Sequence, residues 1–352
     1  MPDVLYVGLQ DDDKILRFGI DAASGKLAPV GETPAAGGPS AFALSPDRRV
    51  LYIGYRGTPA IESCRVEAAS GALTSLGRVA ADHAVTYLAP DRTGKYLLSA
   101  HYQGGYAAVH PLGSDGAVSG PALDRQNTAP GAHAILTDAS NRFAFVPHIA
   151  RLNDNVLEPP KNNPGPNFIA QFRFDATTGR LSPNAPFKLD PPGPIGPRHF
   201  CFHPTLDLAY FSDEQGCSVT AYKVDRASGT LSVVETFPSL PAGVTVRNTC
   251  SQIYLTPSGR FLYVGNRGHN SIAGFAVDLA SGRLTPAGHA ATEAVPTAFG
   301  LDSTGTLLFA AGTATGRLAS YRVNGETGML TPLEIYTAGK RPAAVLAVPV
   351  GR

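Results

Sequence analysis

The sequence predicts an all-β protein, a seven-bladed β-propeller with four-stranded blades, and three observations lead to that prediction. A turn motif recurs along the chain, a hairpin motif recurs with the same period, and the two ends of the chain carry complementary parts of one blade. The 352 residues include 38 Gly and 30 Pro, and only 16% are charged. Such a composition is typical of many short strands joined by tight turns.

The turn motif follows a short apolar run and is clearest at residues 44–49 (LSPDRR) and 255–259 (LTPSG). Equivalent positions fall at Pro46, Pro90, Asp138, Pro204, Pro257, Ser303 and Pro349. Intervals of about 40–50 residues are expected for propeller blades. The longest interval contains residues 150–166, which we interpret as an inserted loop.

The hairpin motif has seven positions. An acidic or amide residue is followed by two further residues, then Ser-Gly or Thr-Gly, then any residue, and finally Leu. It begins at Asp21, Glu67, Asp175, Asp225, Asp278 and Asn324. Its glycine supplies the positive φ that a tight turn requires, so each copy predicts the hairpin between a third and a fourth strand.

The ends of the chain predict how the ring closes. Residues 4–8 (VLYVG) have the pattern of a second strand, and residues 343–350 have that of an isolated first strand. Pairing them completes the seventh blade and removes an exposed sheet edge. We therefore expect one domain that spans residues 1–352.

Charge and composition argue against several classes of partner and location. Lys and Arg total 29 and Asp and Glu total 28, so the net charge of +1 indicates neither a nucleic-acid nor an anionic-membrane surface. There is no secretory signal pattern and no long apolar run. Four cysteines lack any metal-binding spacing, and we expect free thiols and a cytoplasmic protein.

Propeller geometry predicts which polar residues share a face. In each blade the first strand runs along the channel and the second returns, so first-strand starts meet second-strand ends around one channel mouth. The candidate catalytic residues there are His133, His148, Arg198, Glu214 and Arg267. The candidate substrate-binding residues are Tyr55, Arg56, His101, His199, Asn248 and Asn266.

These residue types suit acid–base chemistry on a small polar substrate. Histidine exchanges protons near neutral pH, and a glutamate beside it can orient it. Paired arginines bind a carboxylate or phosphate, or stabilise an oxyanion. We expect no metal, because neither the histidines nor residues 153–155 (NDN) have a fixed ligand spacing. We expect no cofactor, because no dinucleotide-binding glycine motif is present.

At these residues the chain resembles a known family over essentially its whole length. The most specific segments are residues 196–204 (GPRHFCFHP), Glu214 followed by Ser218 and Val219, and residues 255–267 (LTPSGRFLYVGNR). Residues 131–133 (GAH) are similar to the family's histidine-bearing start of a first strand in the third blade. They resemble the seven-bladed lactonase family of bacterial 6-phosphogluconolactonases, which includes fungal 3-carboxy-cis,cis-muconate lactonizing enzymes. The resemblance implies a metal-independent active site at the channel mouth, built here from His133, Arg198, His199, Glu214 and Arg267.

Two departures from the family pattern bear on the substrate. The chain has Val-Pro-His at 146–148 where the family often has Val-Pro-Asp, and Pro-Thr-Ala-Phe at 296–299 where it commonly has Pro-Arg-Gly-Phe. The rim therefore lacks one arginine, which favours an unphosphorylated sugar lactone or aldonate.

Three functions remain open on the sequence. The first is hydrolysis of a sugar lactone, in which His148 or His133 activates water, Arg198 and Arg267 hold the carbonyl, and Glu214 positions the base. The second is a cycloisomerase that uses the same site to move a proton without water. The third is a non-catalytic interaction propeller, which the absence of Trp disfavours. We expect a small-molecule partner and a monomer or small homo-oligomer.

Overall fold

A computed structural model describes residues 3–351, and it confirms the predicted seven-bladed β-propeller. Within these residues there are 28 strands, which form seven four-stranded sheets. The predicted domain of residues 1–352 also includes Met1, Pro2 and Arg352, which lie outside the described residues. Within residues 3–351 no helix is long and apolar enough to cross a membrane.

Six blades are continuous in sequence, and we number them from the first complete one. The strands of blades 1 to 3 are β4 (Pro39–Leu44), β5 (Val50–Tyr55), β6 (Ala60–Val66), β7 (Leu73–Ala80), β8 (Tyr87–Pro90), β9 (Tyr96–His101), β10 (Tyr106–Pro111), β11 (Asp124–Asn127), β12 (Leu136–Thr137), β13 (Phe143–His148), β14 (Phe168–Asp175) and β15 (Arg180–Leu189). Those of blades 4 to 6 are β16 (Pro197–Phe202), β17 (Leu208–Asp213), β18 (Ser218–Val224), β19 (Leu231–Pro238), β20 (Cys250–Leu255), β21 (Phe261–Asn266), β22 (Ser271–Val277), β23 (Leu284–Ala291), β24 (Pro296–Leu301), β25 (Leu307–Gly312), β26 (Arg317–Val323) and β27 (Leu330–Thr337).

Blade 7 closes the ring with strands from both ends of the chain. Its strands are β1 (Asp3–Leu9), β2 (Lys14–Ile20), β3 (Leu27–Pro34) and β28 (Pro342–Pro349). Strand β28 pairs antiparallel with β1 and occupies the innermost position of this sheet, as the sequence predicted. The first strands of most successive blades contact one another, and the first strands surround the channel.

The recurring hairpin motif forms a tight turn, and a recurring tyrosine links neighbouring blades. In the first hairpin the Asp21 side chain accepts hydrogen bonds from the N–H groups of Ala23 and Ser24, and Gly25 has a φ of +78°. A tyrosine in the second strand of five blades then donates its hydroxyl proton to a carbonyl at a turn of the next blade. These pairs are Tyr6 with Gly71, Tyr52 with Gly116, Tyr96 with Thr177, Tyr210 with Gly282, and Tyr263 with Gly328. They link neighbouring blades in addition to the apolar core between the sheets.

A β-bulge at the start of the first strand recurs around the ring and orients the side chains that matter for function. In blades 1, 4, 6 and 7 a proline pairs with the last residue of the second strand, and the residue after it is skipped in the register. The skipped residues are Ser40, Arg198, Thr297 and Ala343. A bulge of this kind turns a side chain away from the sheet, here toward the channel mouth.

The predicted inserted loop at residues 150–166 leaves the propeller after β13. It contains no strand, and a single bridge between Arg151 and Pro164 joins its two ends. The loop lies at the same channel mouth as the bulges.

Candidate active site

A cavity of about 730 Å³ opens at the channel mouth, and two repeated positions supply most of its wall. The first is the bulge, which contributes Ser40, Arg198, Thr297, Ala343 and the neighbouring position Gln252 of blade 5. The second is the residue directly after the second strand, which contributes Gln10, Arg56, Tyr102, Glu214, Arg267 and Thr313. Because the positions repeat, the ring brings residues that are far apart in sequence onto one surface.

Two arginines converge on one glutamate in this wall. Glu214 Oε2 lies 2.8 Å from Arg198 Nε, and Glu214 Oε1 lies 2.9 Å from Arg267 Nη2. The side chains of Arg198 and Glu214 are only 6% and 4% exposed, so these ion pairs are poorly screened by water. Arg267 also donates to the carbonyl oxygen of Cys250 at 3.0 Å.

The cluster retains unused hydrogen-bonding capacity. Nη1 of Arg198 has no hydrogen-bond partner among residues 3–351, and Nε contacts the Glu214 carboxylate at 2.8 Å. Burial and the nearby charge of Arg267 lower the pKa of Arg198 to about 10, so it remains protonated at neutral pH. A buried, charged donor without a partner would be stabilised by a ligand oxygen.

A histidine pair lies beside the arginines. His199 Nε2 is 3.1 Å from His133 Nδ1, and the two rings meet edge to face. Burial, together with the charge of Arg198, lowers the pKa of both histidines well below the usual value. Both rings are therefore neutral at neutral pH. In the tautomer in which His133 donates to His199, the other nitrogen of His133 carries a lone pair that can accept a proton.

Six of the eleven predicted site residues line this cavity. They are Arg56, His133, Arg198, His199, Glu214 and Arg267. Glu214 contacts the arginines rather than either histidine. The structure therefore places Glu214 against the two arginines, whereas the sequence predicted it beside the catalytic base.

The other five predicted residues are buried away from the cavity, and their polar groups bind other parts of the protein. His148 is fully buried, stacks on Phe168 and has its Nε2 2.8 Å from the Thr128 hydroxyl. His101 stacks on Tyr106 and contacts the Ser99 hydroxyl.

The remaining three have equally local partners. Tyr55 donates to Glu62, and the Asn248 amide donates to the Asn266 side-chain oxygen. The alternation of side chains along a strand explains why four of these five residues do not face the cavity. Tyr55, His101, His148 and Asn266 are the last residues of second strands and face the sheet interior. In three of these blades the next residue lines the cavity (Arg56, Tyr102 and Arg267), whereas Ile149, which follows His148, is buried.

The candidate site residues did not include several residues that line the cavity. Tyr102 occupies the same position after its strand as Arg56, Glu214 and Arg267, so the repeat itself is the signal that would have identified it. Arg341 immediately precedes β28 and adds a further exposed cation to the wall.

The inserted loop forms one side of the cavity. Residues 153–158 and Lys161 line it. The loop is fixed by Arg247, whose Nη2 lies 2.7 Å from Asp154 Oδ1 and whose Nη1 donates to the Glu158 carbonyl. Asn153 donates its backbone N–H to the Tyr102 hydroxyl at 2.8 Å. Within residues 3–351 no three His, Cys, Asp or Glu side chains come together as a metal site would require.

The fold and the cavity define a propeller whose binding site is built from repeated positions around one channel mouth. A family model described as "Lactonase, 7-bladed beta-propeller" matches residues 4–347. The chain therefore belongs to the seven-bladed β-propeller lactonase family, as the resemblance predicted.

Individual relatives agree with this assignment. A 6-phosphogluconolactonase of Pectobacterium carotovorum subsp. carotovorum is 31% identical over 350 residues, which cover 99% of this chain and 100% of the relative. One of Yersinia pseudotuberculosis is 30% identical over 342 residues and covers 97% of each chain. The structure of the periplasmic gluconolactonase PpgL of Pseudomonas aeruginosa superimposes with a TM-score of 0.87 at 23% identity and covers 100% of both chains.

Proposed function

We propose that this protein hydrolyses the lactone of a sugar acid to the open-chain aldonic acid, in the cavity at the channel mouth. The observation that carries the proposal is the convergence of Arg198 and Arg267 on Glu214 beside a neutral histidine pair. The names of the relatives, which are 6-phosphogluconolactonases, support the same reaction class.

The residues of the cavity have different roles in the hydrolysis of the lactone ester. The lactone carbonyl oxygen binds the arginine pair, and His133 takes a proton from a water molecule as the water oxygen attacks the carbonyl carbon. The negative charge that develops on the carbonyl oxygen is stabilised by Arg198 and Arg267. The bond from the acyl carbon to the ring oxygen then breaks, and the ring oxygen takes a proton to give the hydroxy acid.

Glu214 supports this chemistry through the arginines. Its carboxylate contacts both guanidinium groups, so it holds two like charges side by side in a place shielded from water. Without it, their mutual repulsion and burial would favour other side-chain positions. In this role Glu214 acts on the geometry of the oxyanion site and takes no proton.

A phosphorylated lactone is a second candidate substrate. Thr297, which replaces the arginine common in the family, lies in the cavity wall and favours the unphosphorylated substrate. Arg56, Arg341 and Lys161 line the same cavity and offer cations to a phosphate group. The relative kcat/KM for gluconolactone and 6-phosphogluconolactone decides between the two.

The test of the proposal is acid release by the purified protein from aldonolactones, with the spontaneous rate subtracted. The reaction is repeated in ¹⁸O-labelled water. We expect acid release above the spontaneous rate with one solvent oxygen in the product carboxylate. Product formation without solvent oxygen would overturn hydrolysis in favour of cycloisomerisation. No turnover of any lactone would overturn the proposal and favour a non-catalytic propeller.

A further inference from the structure

The hydroxyl group of Tyr102 is a proton donor at the cavity, and it has no role in the reaction described above. It follows β9 and lines the cavity. Its hydroxyl oxygen accepts the backbone N–H of Asn153 at 2.8 Å. Because that N–H can only donate, the phenolic proton must point elsewhere, and no acceptor among residues 3–351 takes it.

The surroundings of Tyr102 connect it to the reacting groups. Its ring lies edge-on to His133, with centroids 5.6 Å apart. Burial raises the pKa of Tyr102 to about 12, and the charges of Glu214, Arg198 and Arg267 also act on it. The phenol is therefore protonated at neutral pH and lies within the electrostatic field of the arginine cluster.

Lactone hydrolysis needs a donor of this kind. The leaving oxygen of an aliphatic lactone is an alkoxide, which is a poor leaving group unless it is protonated as the C–O bond breaks. In the proposed reaction His133 holds the proton of the attacking water while the C–O bond breaks, and a phenol beside it can supply the proton that the leaving oxygen takes. The inserted loop, through Asn153, holds the Tyr102 hydroxyl, whose ring lies beside His133.

We propose that Tyr102 is a catalytic residue that donates its phenolic proton to the ring oxygen of the lactone as the acyl C–O bond breaks. The water proton taken by His133 then returns to the tyrosinate, so that one lactone and one water give one hydroxy acid and both side chains end unchanged. This inference rests on the proposed lactone hydrolysis and adds the identity of the acid.

The test compares Tyr102→Phe with the wild type on an aldonolactone and on the matching thiolactone. The variant keeps the ring against His133 and removes only the hydroxyl. A thiolate leaves without protonation, so the thiolactone does not need the acid. We expect kcat for the aldonolactone to fall by roughly 10²–10⁴-fold, and kcat for the thiolactone to change by less than about threefold.

A matched control is Tyr254→Phe, because Tyr254 packs on Phe299 outside the cavity lining. It should leave both rates unchanged. An equal loss on both substrates in Tyr102→Phe would overturn the role of Tyr102 as acid and make it a positioning residue. Unchanged rates would overturn it entirely. A wild type that hydrolyses neither substrate would overturn the proposed function itself.

Discussion

Glu214 Oε2 lies 2.8 Å from Arg198 Nε, and both side chains are almost completely removed from solvent. Arg267 approaches the other oxygen of the same carboxylate from the neighbouring blade. This arrangement concentrates two positive charges at the channel mouth and balances them with one negative charge. The site therefore has a net positive charge, which stabilises the negative charge that develops on a carbonyl oxygen in the transition state.

Glu214→Gln should damage both stability and activity. The amide keeps the shape of the side chain but leaves two buried guanidinium groups without a counter-charge. We expect the free energy of unfolding to fall by about 3–5 kcal/mol, with a large loss of kcat/KM. The measurement is denaturant unfolding together with lactone kinetics.

The matched control for that variant is Glu235→Gln, which removes the carboxylate of an exposed ion pair with Arg283. Exposed pairs contribute about 0–1 kcal/mol, so this variant should unfold like the wild type. Equal destabilisation by the two variants would contradict the importance that we assign to the buried cluster.

His133 and His148 should respond differently to substitution. His133→Asn removes the base that lines the cavity, and kcat/KM should fall by roughly 10²–10⁴-fold. His148→Phe removes the contact between His148 Nε2 and the half-buried Thr128 hydroxyl, which keeps only its hydrogen bond to the Gly105 carbonyl; stability should fall by roughly 1–3 kcal/mol. Its kcat/KM should remain within about threefold of the wild type. A comparable kinetic loss in His148→Phe would show that His148 acts in the reaction after all.

Arg247→Met should release the inserted loop. Its ion pair with Asp154 and its hydrogen bond to the Glu158 carbonyl would both be lost. We expect KM to rise several-fold and limited proteolysis within residues 151–166 to accelerate, because the loop forms one side of the cavity. Arg283→Met, which breaks an exposed pair elsewhere, serves as the control. Unchanged KM and proteolysis would contradict the anchoring role of Arg247.

Stability should decline as the pH falls from about 6.5 toward 4. Burial lowers the pKa of His101 and His110 to about 4 and that of His148 to about 3, and the pKa values of His133 and His199 are also strongly lowered. The unfolded chain therefore binds more protons than the folded protein in this window, and acid favours unfolding.

Protonation of one carboxyl group has the opposite effect on stability between about pH 6.5 and 4. Burial raises the pKa of Asp213 to about 7, so the folded state holds its proton more tightly than the unfolded chain. The effect of this single carboxyl group on stability is smaller than the combined effect of the five histidines. Urea midpoints measured between pH 7.5 and 4.5 check the net decline, and His110→Phe should flatten it. A midpoint independent of pH would contradict the neutral, buried state of these histidines.

The fold could be predicted from the sequence because its determinants are local. Turn and hairpin chemistry repeats with the blade period, and the closing strand could be identified because the strands at the N-terminus, which belong to blade 7, lack a first strand. The channel mouth could also be located, since strand order alone brings Arg198, Glu214 and Arg267 to one face.

The direction of individual side chains could not be predicted as reliably. The position of Arg198 in the wall depends on a bulge after Pro197, which shifts the register by one residue. The exclusion of His101 and His148 depends on which of two successive residues ends the strand. A one-residue difference reverses the face on which a side chain lies, and only a comparison of the repeated positions across the blades reveals it.

The most direct test of the account is the rate of acid release from aldonolactones by Arg198→Met beside that of the wild type. Methionine retains much of the apolar stem and removes the guanidinium that faces the developing oxyanion. If the site hydrolyses lactones as proposed, kcat/KM falls by at least roughly 10²-fold, as for loss of one oxyanion donor, while the circular dichroism spectrum keeps its β signature. A folded Arg198→Met variant with wild-type kcat/KM would contradict the assignment of the reaction to this cavity.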